Sequence, residues 1–535
     1  MRVTEGQDFD VIILGSGIAG TVLGTVLASQ GISTLIIDAS THPRFAVGES
    51  TIPQTSQILS LISRKYGVPE LGDIGMRSPP GLRKHVGDTC GIKRHFGYAY
   101  HRPGAEHDPR EAHVFGNIWR PENHFFRQDV DAYLLHLAIS KGVHVLQNTM
   151  MQDVTFQPDG VTVQTKTGSY RAKYLVDGSG FRSPLAEKFD LREAPPRFNH
   201  HSRSLFTHML DVEPFEESAT SYMSVPWSAG TLHHIFERGW IWVIPFNNYE
   251  GSTNPLVSVG LTVDPRYHPE VDVSPEKEFA DFISQFPAVE RQFAKAKAVR
   301  PWVRTGRLQY SSKKTVGERY CLLSHAEAFI DPLFSRGMLN SLELVETLAD
   351  ALIQAAKEDD YGTERFEHIE KQQRAALYYT DRIVHGSFVS WSDFDLWDAW
   401  MRIWAIGIGV TESNFGSHLI MGQRSKWTPM PNALSGPFEG KGFRALFEQS
   451  YEIILKFDRS EMSGGEASRA IFALLQAHEF EMQLPDRMTG HEWAIVNPGC
   501  RDLYLGDSIL HARWKDHEPD PPLVNIDKVA DATAA

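Results

Sequence analysis

Residues 9–20 read FDVIILGSGIAG, a short apolar run that passes directly into three closely spaced glycines. The apolar run predicts a buried strand, and the stretch TVLGTVLASQG that follows the glycines has helical spacing and ends on glycine. STLIIDAS (33–40) predicts a second strand. These three segments predict a βαβ unit at the start of an α/β fold.

The glycines Gly15, Gly17 and Gly20 form G-x-G-x-x-G between strand and helix, and Asp38 ends the second strand. This context is typical of dinucleotide binding. Gly15 allows the tight turn, Gly17 lets the backbone approach a pyrophosphate at the helix N-terminus, and Gly20 allows close packing of helix and strand. Asp38 is expected to accept hydrogen bonds from the adenosine ribose.

Composition and charge exclude several classes of protein. The chain has 535 residues with a net charge of −14, which disfavours nucleic acid as a partner. Its three cysteines are scattered, so we expect neither a disulfide framework nor a metal site. The first ten residues contain no apolar signal core, and no apolar run reaches the roughly 18 residues of a spanning helix. We therefore expect a cytoplasmic protein without a membrane partner.

Three later features favour FAD over NAD as the dinucleotide. VDGSG (176–180) ends a strand and carries Asp177. FFRQDVDAYLL (125–135) puts Arg127 at the start of a helix, and DPLFSRGMLN (331–340) leads into a long helix whose first amides can bind negative charge. Residues 205–310 are rich in strand patterns, and the chain beyond about 360 is mostly helical.

Three motifs together resemble the flavin-dependent halogenases, within the flavin monooxygenase superfamily. They are VGESTIP (47–53), GWIWVIP (239–245) and FIDPLFSRG (329–337). GIKRHFGYAYHRPG (91–104) is similar to the pyrrole-chlorinating and phenol-type members. The resemblance implies a Rossmann-like FAD-binding domain of the GR2 type with an inserted antiparallel sheet, plus a mainly helical C-terminal region. We place the FAD-binding domain at residues 1–385, its substrate-side sheet at about 200–310, and the substrate-covering helical region at 386–535.

The resemblance also implies a reaction and its co-substrates. FADH2, supplied by a separate NAD(P)H-dependent flavin reductase, would work with O2 and chloride or bromide to give hypohalous acid. A lysine would then deliver the halogen to an electron-rich aromatic small molecule in secondary-metabolite biosynthesis. The sequence leaves open whether that substrate is free or tethered to a carrier protein.

Site residues follow from matching the family motifs. The expected catalytic residues are Lys93 and Glu49, with Lys84 as the alternative lysine. The expected halide-binding residues are Ser335, Arg336 and Gly337. Trp240, Trp242, Ile244 and Pro245 form the structural W-x-W-x-I-P motif. The expected FAD contacts are Gly15, Gly17, Ile18, Ala19, Gly20, Asp38, Arg44, Ser50, Arg127, Asp177, Asp331, Gly337 and Met338.

The chain departs from the family pattern at two places. SHAEA (324–328) stands where Gly-Asp-Ala is usual, so a carboxylate expected near the ribityl chain is missing and we expect looser flavin binding. Phe334 stands where tryptophan halogenases have a glutamate that polarises the halogenating species. Members with Phe there act on phenols or pyrroles, so we expect a phenolic or pyrrolic substrate.

The main alternative is a flavin monooxygenase that hydroxylates an aromatic ring, and a reductase of the same superfamily is a second. GWIWVIP and Lys93 argue against the monooxygenase, and the reductase stays open. In a strand, Trp240, Trp242 and Ile244 share one face and form either plain core or a wall between flavin and substrate. The adjacent His233 and His234 must face opposite ways, and we interpret both as structural. We interpret the aromatic stripe at 393–404 as helical core.

Overall fold

The structure is a computed structural model that describes residues 7–75, 79–116, 121–221, 225–424, 442–477, 480–484, 492–496 and 509–511. Two large sheets and a set of long helices make up the described residues. The strands are β1 Asp8–Leu14, β2 Thr34–Ile37, β3 Gly91–Lys93, β4 His95–Tyr100, β5 Ala112–Gly116, β6 Glu122–His124, β7 His144–Leu146, β8 Met151–Gln157, β9 Gly160–Thr165, β10 Gly168–Asp177, β11 Arg203–Leu210, β12 Thr231–Phe236, β13 Gly239–Pro245, β14 Val257–Val263, β15 Lys297–Ala298, β16 Val303–Arg304, β17 Val316–Gly317, β18 Tyr320–Leu322, β19 Phe480–Leu484, β20 Glu492–Val496 and β21 Ile509–His511. The helices are α1 Ile18–Ser29, α2 Pro53–Tyr66, α3 Pro69–Ile74, α4 Pro79–His85, α5 Arg127–Ser140, α6 Pro184–Lys188, α7 Phe215–Ser218, α8 Pro275–Ile283, α9 Pro287–Phe293, α10 Ser324–Glu327, α11 Arg336–Glu358, α12 Glu367–Ser390, α13 Phe394–Arg424, α14 Phe443–Asp458 and α15 Gly464–Ala477.

The first sheet confirms the predicted Rossmann-like core. Strand β1 lies between β10 and β2, and it pairs in parallel with both. Val11 and Ile13 belong to one apolar cluster, while Ile12 and Leu14 belong to another on the opposite face. Burial on both faces explains why the strand is a continuous apolar run and does not alternate with polar residues.

The second sheet carries the W-x-W-x-I-P motif on its central strand β13. The order of its main path is β15-β11-β14-β13-β12-β4-β5-β21, and β16 also pairs with β11. Trp240, Trp242 and Ile244 lie in one apolar cluster and Ile241 and Val243 in another. The predicted alternation of faces is therefore confirmed.

This sheet differs from the expected insertion at residues 200–310 in two respects. Strands β4 and β5 join it from residues 95–116, and β4 pairs with β12 in parallel. A parallel pair requires a long crossover connection, which the segment between the two strands supplies. The sheet is therefore mixed and not wholly antiparallel.

The C-terminal region consists mainly of helices in its described part. Helix α12 spans the expected boundary between residues 385 and 386. The short strands β19, β20 and β21 also belong to this region, and residues 425–441 and most residues after 477 lie outside the described part. No helix among the described residues combines the length and apolarity needed to cross a membrane.

Candidate active site

The glycine loop between β1 and α1 has the geometry of a nucleotide cradle. Gly15 has a φ of +95°, and a Cβ there would lie 2.5 Å from the carbonyl oxygen of Gly178. A Cβ at Gly20 would lie 2.1 Å from the carbonyl oxygen of Gly15, whereas a Cβ at Gly17 would meet nothing within 4 Å. Two glycines thus permit close backbone packing, and the open side of Gly17 fits the approach of a pyrophosphate. Ile18 and Ala19 form the first turn of α1 beside it.

Asp38 closes this loop through its carboxylate. Its oxygens accept hydrogen bonds from the Ser16 amide and hydroxyl, both at 2.6 Å, and from the Ser40 amide at 2.7 Å. Arg44 adds an ion pair at 2.7 Å. Burial opposes ionisation, but these hydrogen bonds and Arg44 lower the pKa of Asp38. Arg44 is therefore placed to hold Asp38, and the ribose contact remains a prediction.

Asp177 and Arg127 shape loops at this end of the first sheet. The Asp177 carboxylate accepts hydrogen bonds from the hydroxyls of Ser179 and Ser183. Arg127 donates from Nη1 to the carbonyl oxygens of Val47 at 2.7 Å and Gly48 at 3.1 Å, and it pairs with Asp131. Both side chains thus have protein partners that fix backbone near the expected flavin site.

Glu49 lies on the loop that Arg127 holds, and sequence reasoning missed its partner. Its carboxylate is 2.7 Å from Nε2 of His208, which lies on β11. Both side chains are buried, and the ring of Phe45 packs edge-on against His208 with centroids 5.2 Å apart. Pairing requires β11 to pass over the loop, a long-range arrangement that no local sequence pattern indicates.

The structure separates the two candidate lysines by burial. Lys93 is 3% exposed, and its amine donates to Oγ of Ser50 and to the carbonyl oxygen of Thr51, both at 2.8 Å. Nζ lies 3.7 Å from the centroid of the Phe96 ring. Burial lowers the pKa of Lys93 well below its ordinary value, against the opposing charge of Glu122. A lysine that readily loses its proton is the kind the expected chemistry requires.

Lys84, the alternative, has a different setting. Its side chain is 65% exposed and pairs with Asp73 at 2.6 Å. An exposed ammonium of this kind is strongly hydrated. The geometry therefore favours Lys93. Ser50, expected to contact FAD, bonds to Lys93 in this structure.

The loop before α11 is the expected halide site. Ser335 has a left-handed φ of 52°, and its N–H donates to the carbonyl oxygen of Pro332 at 2.9 Å. Gly337 and Met338 lie in the first turn of α11, where helix geometry directs backbone N–H groups outward. The first turn of α11, which also includes Arg336, is thus better placed than the Ser335 amide to receive an anion.

Asp331 braces this loop from behind. Its carboxylate accepts hydrogen bonds from the Ser202 hydroxyl at 2.8 Å and the Leu333 amide at 3.0 Å, and it is 3.0 Å from Nε2 of His200. Asp331 was expected to contact FAD, and that contact remains a prediction. His200 and Ser202 were missed by sequence reasoning.

The departure at SHAEA also has a structural setting. A Cβ at Gly337 would lie 3.1 Å from Nε2 of His325, so this imidazole borders the expected halide loop. Glu327 is buried, and burial raises its pKa to about 7. The usual carboxylate is thus replaced by a buried histidine, for which burial lowers the pKa to about 4.

An aromatic layer joins the Glu49 loop to Lys93. Successive ring centroids lie 6.2 Å apart for Phe45 and Phe206, 6.1 Å for Phe206 and Trp242, and 5.5 Å for Trp242 and Trp240. His233 continues the layer, 5.3 Å from Trp240 and 4.6 Å from Phe96. The motif on β13 therefore forms the middle of the layer.

The helical region covers the Lys93 end of this layer. Trp404 of α13 stacks on Phe334 with centroids 4.8 Å apart and lies 5.8 Å from Phe96. Tyr98 packs beside them, and its buried hydroxyl has no hydrogen-bond partner. Part of the stripe at 393–404 thus borders the site, which its interpretation as plain core did not include.

The two adjacent histidines face opposite sides of the sheet, as predicted. His233 stacks on Phe96 and Tyr98, whereas His234 Nδ1 is 2.9 Å from His101 Nε2. Burial lowers the pKa of His234 to about 3. His234 therefore belongs to the core beneath the sheet, and His233 belongs to the aromatic layer.

Comparison with known proteins agrees with this geometry. Residues 112–388 match the tryptophan halogenase family. The chain is 50% identical over 408 residues to monodechloroaminopyrrolnitrin halogenase PrnC of Pseudomonas fluorescens, covering 75% of this chain and 72% of that protein. It is 48% identical over 407 residues to tetracycline 7-halogenase of Kitasatospora aureofaciens, covering 75% and 73%. The crystal structure of halogenase PltM with phloroglucinol and FAD superposes with a TM-score of 0.83 at 33% identity, covering 87% of this chain and 95% of PltM.

Proposed function

The chain belongs to the tryptophan halogenase family, whose members are flavin-dependent halogenases, and from this premise we propose that it halogenates a phenol or pyrrole ring. The observation that carries the proposal is the aromatic layer between the Glu49 loop and the buried amine of Lys93. Such a layer keeps a bulky ring away from the flavin while a small oxidant reaches the lysine. That arrangement suits halogenation and does not suit direct hydroxylation, which needs contact between flavin and substrate.

The residues that would hold FAD surround the glycine loop. The backbone at Gly17 would receive the pyrophosphate, and the loop braced by Arg127 would border the ring system. FAD, when bound and reduced, would supply two electrons to O2, and the halide would supply the other two, so that hypohalous acid and water are formed. The chain's own contribution is to bind the halide at the start of α11 and to present Lys93.

Phe334 supports the substrate class. Its ring is buried and stacked on Trp404. A phenylalanine at this position provides no carboxylate for the halogenating species. A ring that carries its own activating OH or NH needs no such help. The names of the relatives refer to monodechloroaminopyrrolnitrin, tetracycline and phloroglucinol, compounds with a pyrrole or phenol ring.

We propose that two buried polar groups orient such a substrate. Tyr98 Oη and Trp240 Nε1 are both buried without a hydrogen-bond partner. Both lie in the apolar cluster that includes Phe96 and Phe334. A buried polar atom without a partner is costly, so a substrate that carries a complementary group would gain binding energy from these atoms. We propose a free small molecule as substrate, because the names of PrnC and tetracycline 7-halogenase, at 50% and 48% identity, mention no carrier.

The experiment supplies the chain with FAD, an NAD(P)H-dependent flavin reductase, O2 and either chloride or bromide. Phenols, pyrroles and free tryptophan are offered separately, and products are identified by mass spectrometry. We expect a halide-dependent product with the halogen isotope pattern from phenols or pyrroles. Turnover of tryptophan alone would contradict the substrate class, and halide-independent gain of one oxygen would identify a hydroxylase. Turnover only of a carrier-bound substrate would contradict the free-substrate proposal.

A further inference from the structure

Lys93 is the first member of a continuous buried hydrogen-bond chain that the proposed function does not use. Its amine is 2.8 Å from Oγ of Ser50, which is 2.9 Å from Oγ1 of Thr231. Thr231 Oγ1 is 2.9 Å from Nε2 of His124, and Nδ1 of that ring is 2.7 Å from the carbonyl oxygen of Pro245. The four side chains that form this hydrogen-bond chain are all buried: Lys93, Ser50, Thr231 and His124.

The last contact fixes the direction of the hydrogen bonds. A carbonyl oxygen only accepts, so Nδ1 of His124 carries a proton. Burial, to which the charge of Lys93 adds, lowers the pKa of His124 to about 3. The ring is therefore neutral beside a charged lysine, and its Nε2 accepts the Thr231 hydroxyl hydrogen. Thr231 then accepts from Ser50, which accepts from Lys93. Each hydroxyl thus donates once and accepts once along the chain.

We propose that this chain is a proton relay in which Lys93 passes its proton through Ser50 and Thr231 to His124. The Lys93 ammonium gives a proton to Oγ of Ser50, whose own proton moves to Thr231, whose proton moves to Nε2 of His124. The ammonium becomes an amine, the imidazole becomes an imidazolium, and both hydroxyls are restored. No electron changes place. The inference rests on the proposed function, because the neutral amine is the form that engages hypohalous acid.

The surroundings allow one extra proton on the relay and not two. Glu122 pairs with Lys93 across β3 and β6 and supplies one negative charge. His95 and His233 are the other titratable groups whose charge acts on the pair, and burial lowers the pKa of both. A second proton would place two cations in a buried site with a single opposing carboxylate. The proton therefore resides on Lys93 or on His124.

Because Phe334 has no carboxylate, the lysine needs another proton acceptor, which the relay would provide. The glutamate that assists the lysine in tryptophan halogenases is absent, and no other carboxylate hydrogen-bonds Lys93 among the described residues. The relay offers a different acceptor for the lysine proton. Pro245 ends the W-x-W-x-I-P motif, so the same strand that forms the aromatic layer also orients His124.

Kinetics of matched variants test the relay. Thr231→Val keeps the shape of the side chain and breaks the chain, whereas Thr231→Ser retains the hydroxyl. At pH 7 we expect kcat of Thr231→Val to fall about tenfold or more. This loss should diminish toward pH 9.5, where solvent base removes the lysine proton, and Thr231→Ser should follow the wild type. A loss for Thr231→Val that is equal at every pH would indicate a merely structural role and overturn the relay.

A second measurement does not depend on halogenation. Acetic anhydride labels neutral amines, and peptide mass spectrometry reports labelling of Lys93 with exposed Lys84 as reference. In the wild type, a proton shared with His124 leaves a fixed fraction of neutral Lys93, so labelling should level off as the pH falls. In His124→Gln, labelling should instead fall about tenfold per pH unit. Equal tenfold decreases per pH unit in the wild type and in His124→Gln would overturn the relay, even if the wild type halogenates. A wild type that is labelled as expected but yields no halogenated product would contradict the proposed function alone.

Discussion

Lys93 lies buried between Ser50, Thr51 and the ring of Phe96, on a different sheet from β1 and the glycine loop that would hold FAD. A substitution of Lys93 should therefore impair halogenation and leave FAD binding intact. We expect Lys93→Ala to bind FAD as the wild type does and to lose halogenation by about 100-fold or more. Isothermal titration with FAD and product analysis measure the two effects.

Two control variants sharpen this prediction. Lys93→Arg keeps a positive charge that does not dissociate, so it should be as inactive as Lys93→Ala. Lys84→Ala removes an exposed ammonium paired with Asp73 and should leave the rate unchanged. Full activity in Lys93→Arg would show that charge alone suffices and would remove the need for a neutral amine.

The β1–α1 loop combines two glycines whose replacement has different consequences. Gly17 has an ordinary φ of −71° and open space beside it, so Gly17→Leu should fold normally and obstruct the pyrophosphate. Gly20→Ala would drive a methyl group into the Gly15 carbonyl and should destabilise the fold by about 1–3 kcal/mol or more. Urea unfolding without FAD, followed by FAD titration, distinguishes the two. An unstable Gly17→Leu, or a Gly20→Ala of wild-type stability, would contradict this assignment of roles.

Local patterns predicted the elements that local forces form. The apolar run, the glycines and the helix after them specify β1, α1 and β2 within some 30 residues, and alternation along β13 specified which face each tryptophan occupies. The start of α5 at Arg127 was predicted on the same grounds. These features depend on periodicity and turn chemistry, which a sequence displays directly.

Long-range pairing was beyond such patterns. The parallel pairing of β4 with β12 brings residues 95–100 beside residues 231–236. The sequence of neither segment indicates that the other is its partner. The partners of the site depend on such pairings: His208 meets Glu49 from β11, and His124 meets Thr231 from β6. One usable signal was present, since polar residues within buried strands require a partner. Reading those positions as pairs would have singled out His124, His208 and Thr231.

At the scale of the whole molecule, two kinds of buried ionisable group have opposite effects on the free energy of unfolding as the pH changes. Burial lowers the pKa of one set, which includes His95 and His325 at about 4 and His124, His234 and His385 at about 3. Burial raises the pKa of the other set, which includes Glu327 and Glu346 at about 7 and Glu343 at about 8. Each group links stability to pH, because its proton binds differently in the folded and unfolded chain.

These two sets predict a maximum of stability near pH 6.5. The histidines contribute stability that is complete above their unfolded pKa of about 6.5 and is lost as the pH falls toward their folded values. The glutamates contribute stability that is complete below their unfolded pKa of about 4.5 and is lost as the pH rises through 7 to 8. Each group changes the free energy of unfolding by about 1.4 kcal/mol per pH unit within its window. Between about pH 4.5 and 6.5 these five histidines outweigh the three glutamates, and above pH 6.5 the three glutamates lower the free energy of unfolding.

Urea unfolding followed by tryptophan fluorescence from pH 5 to 8.5 measures the dependence of stability on pH. Three variants test which groups cause the acidic and the alkaline side of this curve. Glu343 is buried with neither carboxylate oxygen hydrogen-bonded, so Glu343→Gln, which stays neutral at every pH, should flatten the alkaline limb. His234→Gln should flatten the acidic limb, whereas His136→Gln replaces an exposed histidine and should leave the curve unchanged. A midpoint that keeps rising from pH 6.5 to 8.5 in the wild type would mean that the buried glutamates are ionised in the folded chain. Their charges would then need compensating partners, and Lys65, which contacts Glu346, is the residue to substitute next.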